Sequence, residues 1–119
     1  MKLTKENYVD ITFKSKAFKR ECNTHKLLVR RHGPDRAKRI RRRLDDLRAA
    51  NILEDMRNLP GRCHELRGSR AGQLSLDLDH PYRLIFTTAN DPVPRKADGG
   101  LDWTRINAVL ILGVEDTNE

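Results

Sequence analysis

The segment CHELRGSRAGQLSLDLDHPYRLIF, Cys63 to Phe86, gathers His64, Arg67, Arg70 and Arg83 around two runs of alternating apolar residues. Histidine can give or take a proton near neutral pH, and guanidinium forks match phosphate oxygens. These residue types suit RNA cleavage, in which a ribose 2′-OH attacks the adjacent phosphate. A base takes the hydroxyl proton, cations meet the developing charge, an acid protonates the leaving 5′-oxygen, and no metal is required. Residues equally far from a hairpin turn lie opposite one another, so the four side chains can converge. Whether they share a face depends on register, which the sequence does not fix. The plainer reading is a hairpin with a solvated basic rim and a histidine that serves packing.

The elements that must position them follow from periodicity. Leu74, Leu76 and Leu78 alternate with Ser75, Asp77 and Asp79, the pattern of a half-buried strand. Tyr82, Leu84 and Phe86 repeat it beyond a turn at His80-Pro81. Connections this short force antiparallel pairing. Gly68 to Gly72 is a turn, its two glycines free to take positive φ. Upstream, Val9, Ile11 and Phe13 predict a strand. Ser15 then caps a helix running through KAFKRECNTHKLLVRR, with Phe18, Cys22, His25 and Val29 on one face. Gly33-Pro34 ends it, and Asp35 caps a second helix whose apolar stripe is Ala37, Ile40, Leu44 and Leu47. Residues 51–62 predict a helical turn and a loop broken at Pro60-Gly61. Residues 87–102 predict a polar, flexible loop, after which Trp103 packs against a sheet edge. Ile106 to Val114 is the most continuously apolar stretch, which predicts an interior strand covered on both faces. The expectation is one domain over residues 1–119, of α+β class, with an N-terminal helical hairpin packed on a small curved antiparallel sheet.

Charge is unevenly placed. The net charge is +7, but residues 1–50 carry 16 Lys and Arg against 6 Asp and Glu, a net of +10. Arg36, Lys38, Arg39, Arg41, Arg42 and Arg43 crowd the second helix. Six cations in eight positions repel one another without an anionic partner, which points to RNA phosphates, with an acidic protein partner as the alternative. Cys22 and Cys63 have no metal-ligand spacing and predict reduced, structural thiols. No apolar run approaches the roughly 20 residues that span a bilayer. The opening residues lack the apolar core of a signal peptide, so a cytoplasmic protein is expected, with no membrane partner. There is no P-loop, dinucleotide-binding glycine pattern, GxSxG or HExxH. Trp103, Tyr8, Tyr82 and three phenylalanines are the only aromatics, too few for a dedicated single-strand stacking platform.

The run HELRGSRAGQLSLDLDHPYRLIF, followed by ILGVEDTNE, resembles the RelE/ParE toxin superfamily of bacterial type II toxin–antitoxin systems. It is most similar to the HigB-like, plasmid maintenance killer branch. Arg67-Gly68-Ser69-Arg70-Ala71-Gly72 matches the family's basic turn, and Tyr82-Arg83-Leu84-Ile85-Phe86 matches its aromatic-Arg-hydrophobic strand. The resemblance implies a ribosome-dependent mRNA endonuclease, without cofactor or metal, neutralised by a cognate antitoxin of HigA-like, DNA-binding type. It implies His64 in acid–base catalysis, Arg67, Arg70 and Arg83 on phosphate, and Asp116 as the aspartate of the family's Asp-Tyr-His ending. Here that ending reads Asp116-Thr117-Asn118, without Tyr or His. Two alternatives follow from the departure: a ParE-like inhibitor of DNA gyrase, or a non-catalytic binding and repressor module. His80 is a possible substitute for the missing histidine.

Overall fold

The computed structural model describes residues 8–117. Strand β1 (Asp10–Phe13) leads into helices α1 (Lys16–Asn23), α2 (His25–His32) and α3 (Pro34–Ala49). A 3₁₀ turn at Leu53–Asn58 precedes β2 (His64–Glu65), β3 (Gln73–Asp77), β4 (Tyr82–Thr88) and β5 (Ala108–Asp116). The strands form one five-stranded sheet in the order β1-β5-β4-β3-β2. The α+β arrangement of helices on a mostly antiparallel sheet is the one expected from the sequence.

Ala37, Ile40, Leu44 and Leu47 are buried, as the α3 stripe predicts, and they share a core cluster with Leu74, Leu76, Leu84, Phe86, Val109 and Ile111. Fully burying a side chain such as Leu or Ile stabilises the fold by about 2 kcal/mol. Among the described residues, no helix is long and apolar enough to cross a membrane.

Four features depart from the sequence reading. The first helix is two helices, broken at Thr24 (φ −134°, ψ 94°). Phe18 and Leu28 are both buried, whereas His25, placed on the predicted stripe, is exposed. Ten residues of unbroken helix turn through about 1,000°, which leaves those two side chains some 80° apart; the break lets both reach the core. Ser15 does cap α1, its hydroxyl accepting from Phe18 N at 3.1 Å. At the next junction, however, Pro34 opens α3 after Gly33 (φ 82°) rather than Asp35 capping it.

Second, β1 pairs with β5 in parallel, so only four of the strands are mutually antiparallel. Third, the segment after β4 begins at residue 89 and is pinned. Asn90 Oδ1 accepts from the amides of Asn107 and Ala108, both at 3.1 Å. Leu101 is buried and bridges to Arg95.

Fourth, β5 is interior to the sheet but covered fully on one face only, with Leu110 and Leu112 half-buried on the other. It also carries a bulge. Phe86 pairs with Ile111, but Ile85 pairs with Gly113, so Leu112 is an extra residue on β5. Gly113 adopts φ 146°, which glycine tolerates best. Val109 and Ile111 face the core, and regular alternation would carry Glu115 there too. The extra residue instead turns Val114 toward the core and Glu115 to the opposite face.

Candidate active site

The face of the sheet away from the helices carries the candidate residues in two adjacent rows. One row runs His64, Ser75, Ile85, Gly113; the next runs Asp77, Arg83, Glu115. Two strand spacings across and one two-residue repeat along place the His64 and Arg83 backbones about 12 Å apart. Side chains of this length can close that gap onto one nucleotide.

His64 is half-buried on the edge strand, with Nδ1 2.7 Å from the Arg62 carbonyl. A carbonyl only accepts, so Nδ1 carries a proton and the lone pair of the neutral ring belongs to Nε2. The backbone therefore fixes the tautomer of the neutral ring. His64 and Arg67 line a groove of about 430 Å³ with Arg57, Glu65 and Trp103. Arg67 is exposed at its rim. Trp103 is the buried wall: its indole N–H donates to Glu65 at 3.0 Å and the Arg57 guanidinium lies 4.0 Å from its ring centre.

Arg83 is only 6% exposed. Its Nε lies 3.2 Å from Asp77, and its Nη1 donates to Thr117 Oγ1 at 3.0 Å. Thr117 thus reaches the face that holds Arg83; Asn118 lies outside the described residues. Arg62 holds the same Asp77 carboxylate in a two-point contact at 2.9 and 3.4 Å. Arg62, Asp77, His80 and Arg83 are walls of a cleft of about 100 Å³. Arg70 donates to Gln73 at 2.7 Å and to Glu115. Gln73 and Glu115 lie on either side of the Ser75–Ile85 row, so the arginine must pass over it, which explains why Ile85 is buried on the open face. Asp116 pairs with Tyr82, on the helix side of the sheet. Register therefore brings His64, Arg70 and Arg83 to one face, with Arg67 at the rim and Asp116 on the other side.

The basic helix divides likewise. Lys38, Arg39, Arg41 and Arg42 are exposed. Arg36 is instead paired with Asp79 through two hydrogen bonds, at 2.9 and 3.0 Å, and stacked 3.5 Å from the Tyr82 ring centre. The Arg36 hydrogen bond holds the Asp79 carboxyl below its ordinary range. Arg43 is 7% exposed and turned inward, Nε donating to the Asp77 carbonyl at 2.8 Å. Burial lowers its pKa. Both guanidinium groups are engaged within the protein. Cys22 and Cys63 are free thiols, each pushed up to about 12 by burial. Among the described residues, no group of three or more His, Cys, Asp and Glu side chains is placed to hold a metal ion.

No family model and no curated protein sequence matches the chain. Its architecture does match solved structures. The YoeB–YefM complex from Staphylococcus aureus aligns over 90% of this chain and 94% of the matched chain, with a TM-score of 0.54 at 17% identity. The YoeB dimer from Staphylococcus aureus aligns over 88% and 92%, with a TM-score of 0.51 at 19% identity. At these identities the likeness is one of fold.

On that fold, three residues that the sequence reading passed over stand in the site: Arg62, Asp77 and Glu115. Asp77 was legible only as an outward position of β3, and its two arginine partners come from distant segments. Glu115 was hidden by the bulge, which no periodicity argument anticipates. Arg62 follows Pro60-Gly61, a loop signal with no chemistry of its own.

Proposed function

We propose that this chain is the toxin of a type II toxin–antitoxin pair in the RelE/ParE superfamily, a metal-independent endoribonuclease that cuts messenger RNA on the ribosome in the cytoplasm. The observation that carries the reading is the shared sheet face: His64, its Nδ1 committed to a carbonyl and its Nε2 left as a base, beside Arg70 and Arg83. The fold shared with YoeB, a RelE-superfamily toxin, supports it. His64 ahead of the Arg67-Gly68 turn favours the HigB-like branch, and with it a HigA-like antitoxin. A YoeB–YefM complex on the same fold is the precedent for a partner protein.

In the proposed reaction, His64 Nε2 takes the proton of a ribose 2′-OH while that oxygen attacks the adjacent phosphorus. Arg83 and Arg70 hold the non-bridging oxygens as charge grows in the transition state. The P–O5′ bond breaks, the 5′-oxygen is protonated from solvent or an acidic side chain, and the products are a 2′,3′-cyclic phosphate and a 5′-hydroxyl. Lys38, Arg39, Arg41 and Arg42 offer an exposed cationic row to ribosomal RNA phosphates.

Mapping mRNA 5′ ends after brief induction tests the reading. New in-frame ends in wild type that vanish in His64→Ala support it. Growth arrest with a DNA-damage response and no new ends moves the assignment to gyrase. No arrest at all leaves a binding and repressor module.

A further inference from the structure

We propose that the groove along the free edge of β2 is a nucleobase subsite, in which a purine stacks on the outer face of Arg57. The site deepens the nuclease reading above, on which the identity of its ligand as messenger RNA rests. Arg57 is held on two sides. Its Nε and Nη2 donate to the Glu54 carboxylate at 2.9 and 3.2 Å. Its guanidinium carbon lies over the Trp103 ring, 4.0 Å from the centre, so the indole covers one face. Trp103 is fixed in turn by its hydrogen bond to Glu65. What remains open is the second face of the guanidinium, on a side chain that is 52% exposed and lines the groove. A planar cation clamped in this way is a stacking surface set before any ligand arrives, so little ordering is lost on binding. Unpaired RNA bases stack on arginine planes as they do on aromatic rings.

The strand supplies the edge contacts. Leu66 N donates to the Gln73 carbonyl at 2.9 Å, while His64 pairs with Ser75 and Glu65 with Leu74. Antiparallel ladders alternate, so the amide and carbonyl of Glu65 point away from β3, and β2 is the edge of the sheet. They offer one donor and one acceptor, which suits the polar edge of a base. Two residues of strand are too few for a peptide ladder, and this favours a base over an added strand. The volume of about 430 Å³ lies within the roughly 300–1,000 Å³ of small-ligand sites. A purine covers more of the guanidinium than a pyrimidine does, and stacking strength sets preference at such sites. His64 lines the same groove. A base docked on Arg57 therefore fixes which ribose reaches His64, and with it where the RNA is cut.

Trp103 is the one tryptophan of the chain, so its fluorescence reports what enters the groove. The test titrates the full chain with AMP, CMP and ribose 5-phosphate at constant ionic strength. AMP is expected to change the emission saturably, CMP to bind more weakly, and ribose 5-phosphate to have no effect. Arg57→Ala and Arg57→Lys are both expected to weaken AMP about tenfold, because lysine keeps the charge and loses the plane. Arg39→Gln/Arg42→Gln is expected to leave the titration unchanged. Equal binding of AMP and ribose 5-phosphate, or wild-type affinity in Arg57→Lys, overturns the stacking site. Equal affinity for AMP and CMP overturns the purine assignment. A response to an extended tetrapeptide and to no nucleotide overturns the proposal in favour of strand addition at β2. On messenger RNA, Arg57→Lys is expected to keep cutting while losing a purine bias at one fixed position from the new 5′ ends. If new ends form and AMP does not dock, the subsite fails alone; if AMP docks and no ends form, the nuclease reading fails and the subsite stands.

Discussion

Arg43, from the middle of α3, donates through Nε to the backbone carbonyl of Asp77 at 2.8 Å, the residue whose carboxylate holds Arg62 and Arg83. Gly61 passes so close that a Cβ there would lie 2.7 Å from Arg43 Nε, and the Gly61 carbonyl accepts from the Asp77 amide at 2.7 Å. One buried guanidinium thereby fastens the helical layer to the end of β3 that carries the site.

Arg43→Ala is therefore expected to destabilise the protein by about 2 kcal/mol, through a lost charge-assisted hydrogen bond and an unfilled space. Arg42→Ala, one residue away and exposed, is expected to stay within about 0.5 kcal/mol of wild type. Urea denaturation of the two variants checks this; equal stability would refute the inward role of Arg43.

The exposed row of α3 gives a different signature. Arg39→Gln/Arg42→Gln should leave the urea midpoint in place and make the salt dependence of ribosome association shallower by about two units of log–log slope. Cosedimentation across a salt series measures it, and an unchanged slope removes these residues from the RNA interface.

At the C-terminal end, Glu115→Gln should lower mRNA cleavage about tenfold, because Arg70 loses the anchor that stretches it across the open face. Asp116→Asn, on the helix side of the sheet, should stay within about threefold of wild type. Quantified 5′ ends for the two variants decide the matter, and the reverse order of effects would return the role to Asp116.

The thiols titrate late. With Cys22 and Cys63 at about 12 rather than 9.0, their thiolate fraction at pH 8 is about a thousandfold below that of an unfolded thiol. Alkylation of the native protein should be correspondingly slow. The folded values are the higher ones, so the stability contributed by neutral, buried thiols is full below pH 9 and declines as pH rises toward 12. A Cys22→Ser/Cys63→Ser protein should show a flatter alkaline limb; identical limbs would sink the attribution.

Much of this was legible in the letters. Strict alternation in Leu74–Leu78 and Tyr82–Phe86 specifies the hairpin because period two has one structural meaning. The α3 stripe and the Ser15 cap are local signals of the same kind. What could not be read depends on distant partners. The bend at Thr24 answers a core that must accept Phe18 and Leu28 together. The inward turn of Arg36 and Arg43 depends on Asp79 and Asp77, 43 and 34 residues away. Charge pattern alone groups them with their exposed neighbours. The bulge is written nowhere in LILGVED except as a glycine, and it decides which acidic residue faces the arginines.

The parallel pairing of β1 with β5 also constrains how the molecule is made. Thr12 on the first strand hydrogen-bonds Val109 on the last, 97 residues apart. Non-local contacts of that span form late and slow folding. During synthesis β1 waits, unpaired on both edges, until β5 has been translated, so the β2–β4 meander and the helices must assemble beside a vacant slot between β1 and β4. A ribosome making this chain releases the strand that completes the arginine face after the helices and the other four strands, which delays the appearance of any activity that the assembled face carries.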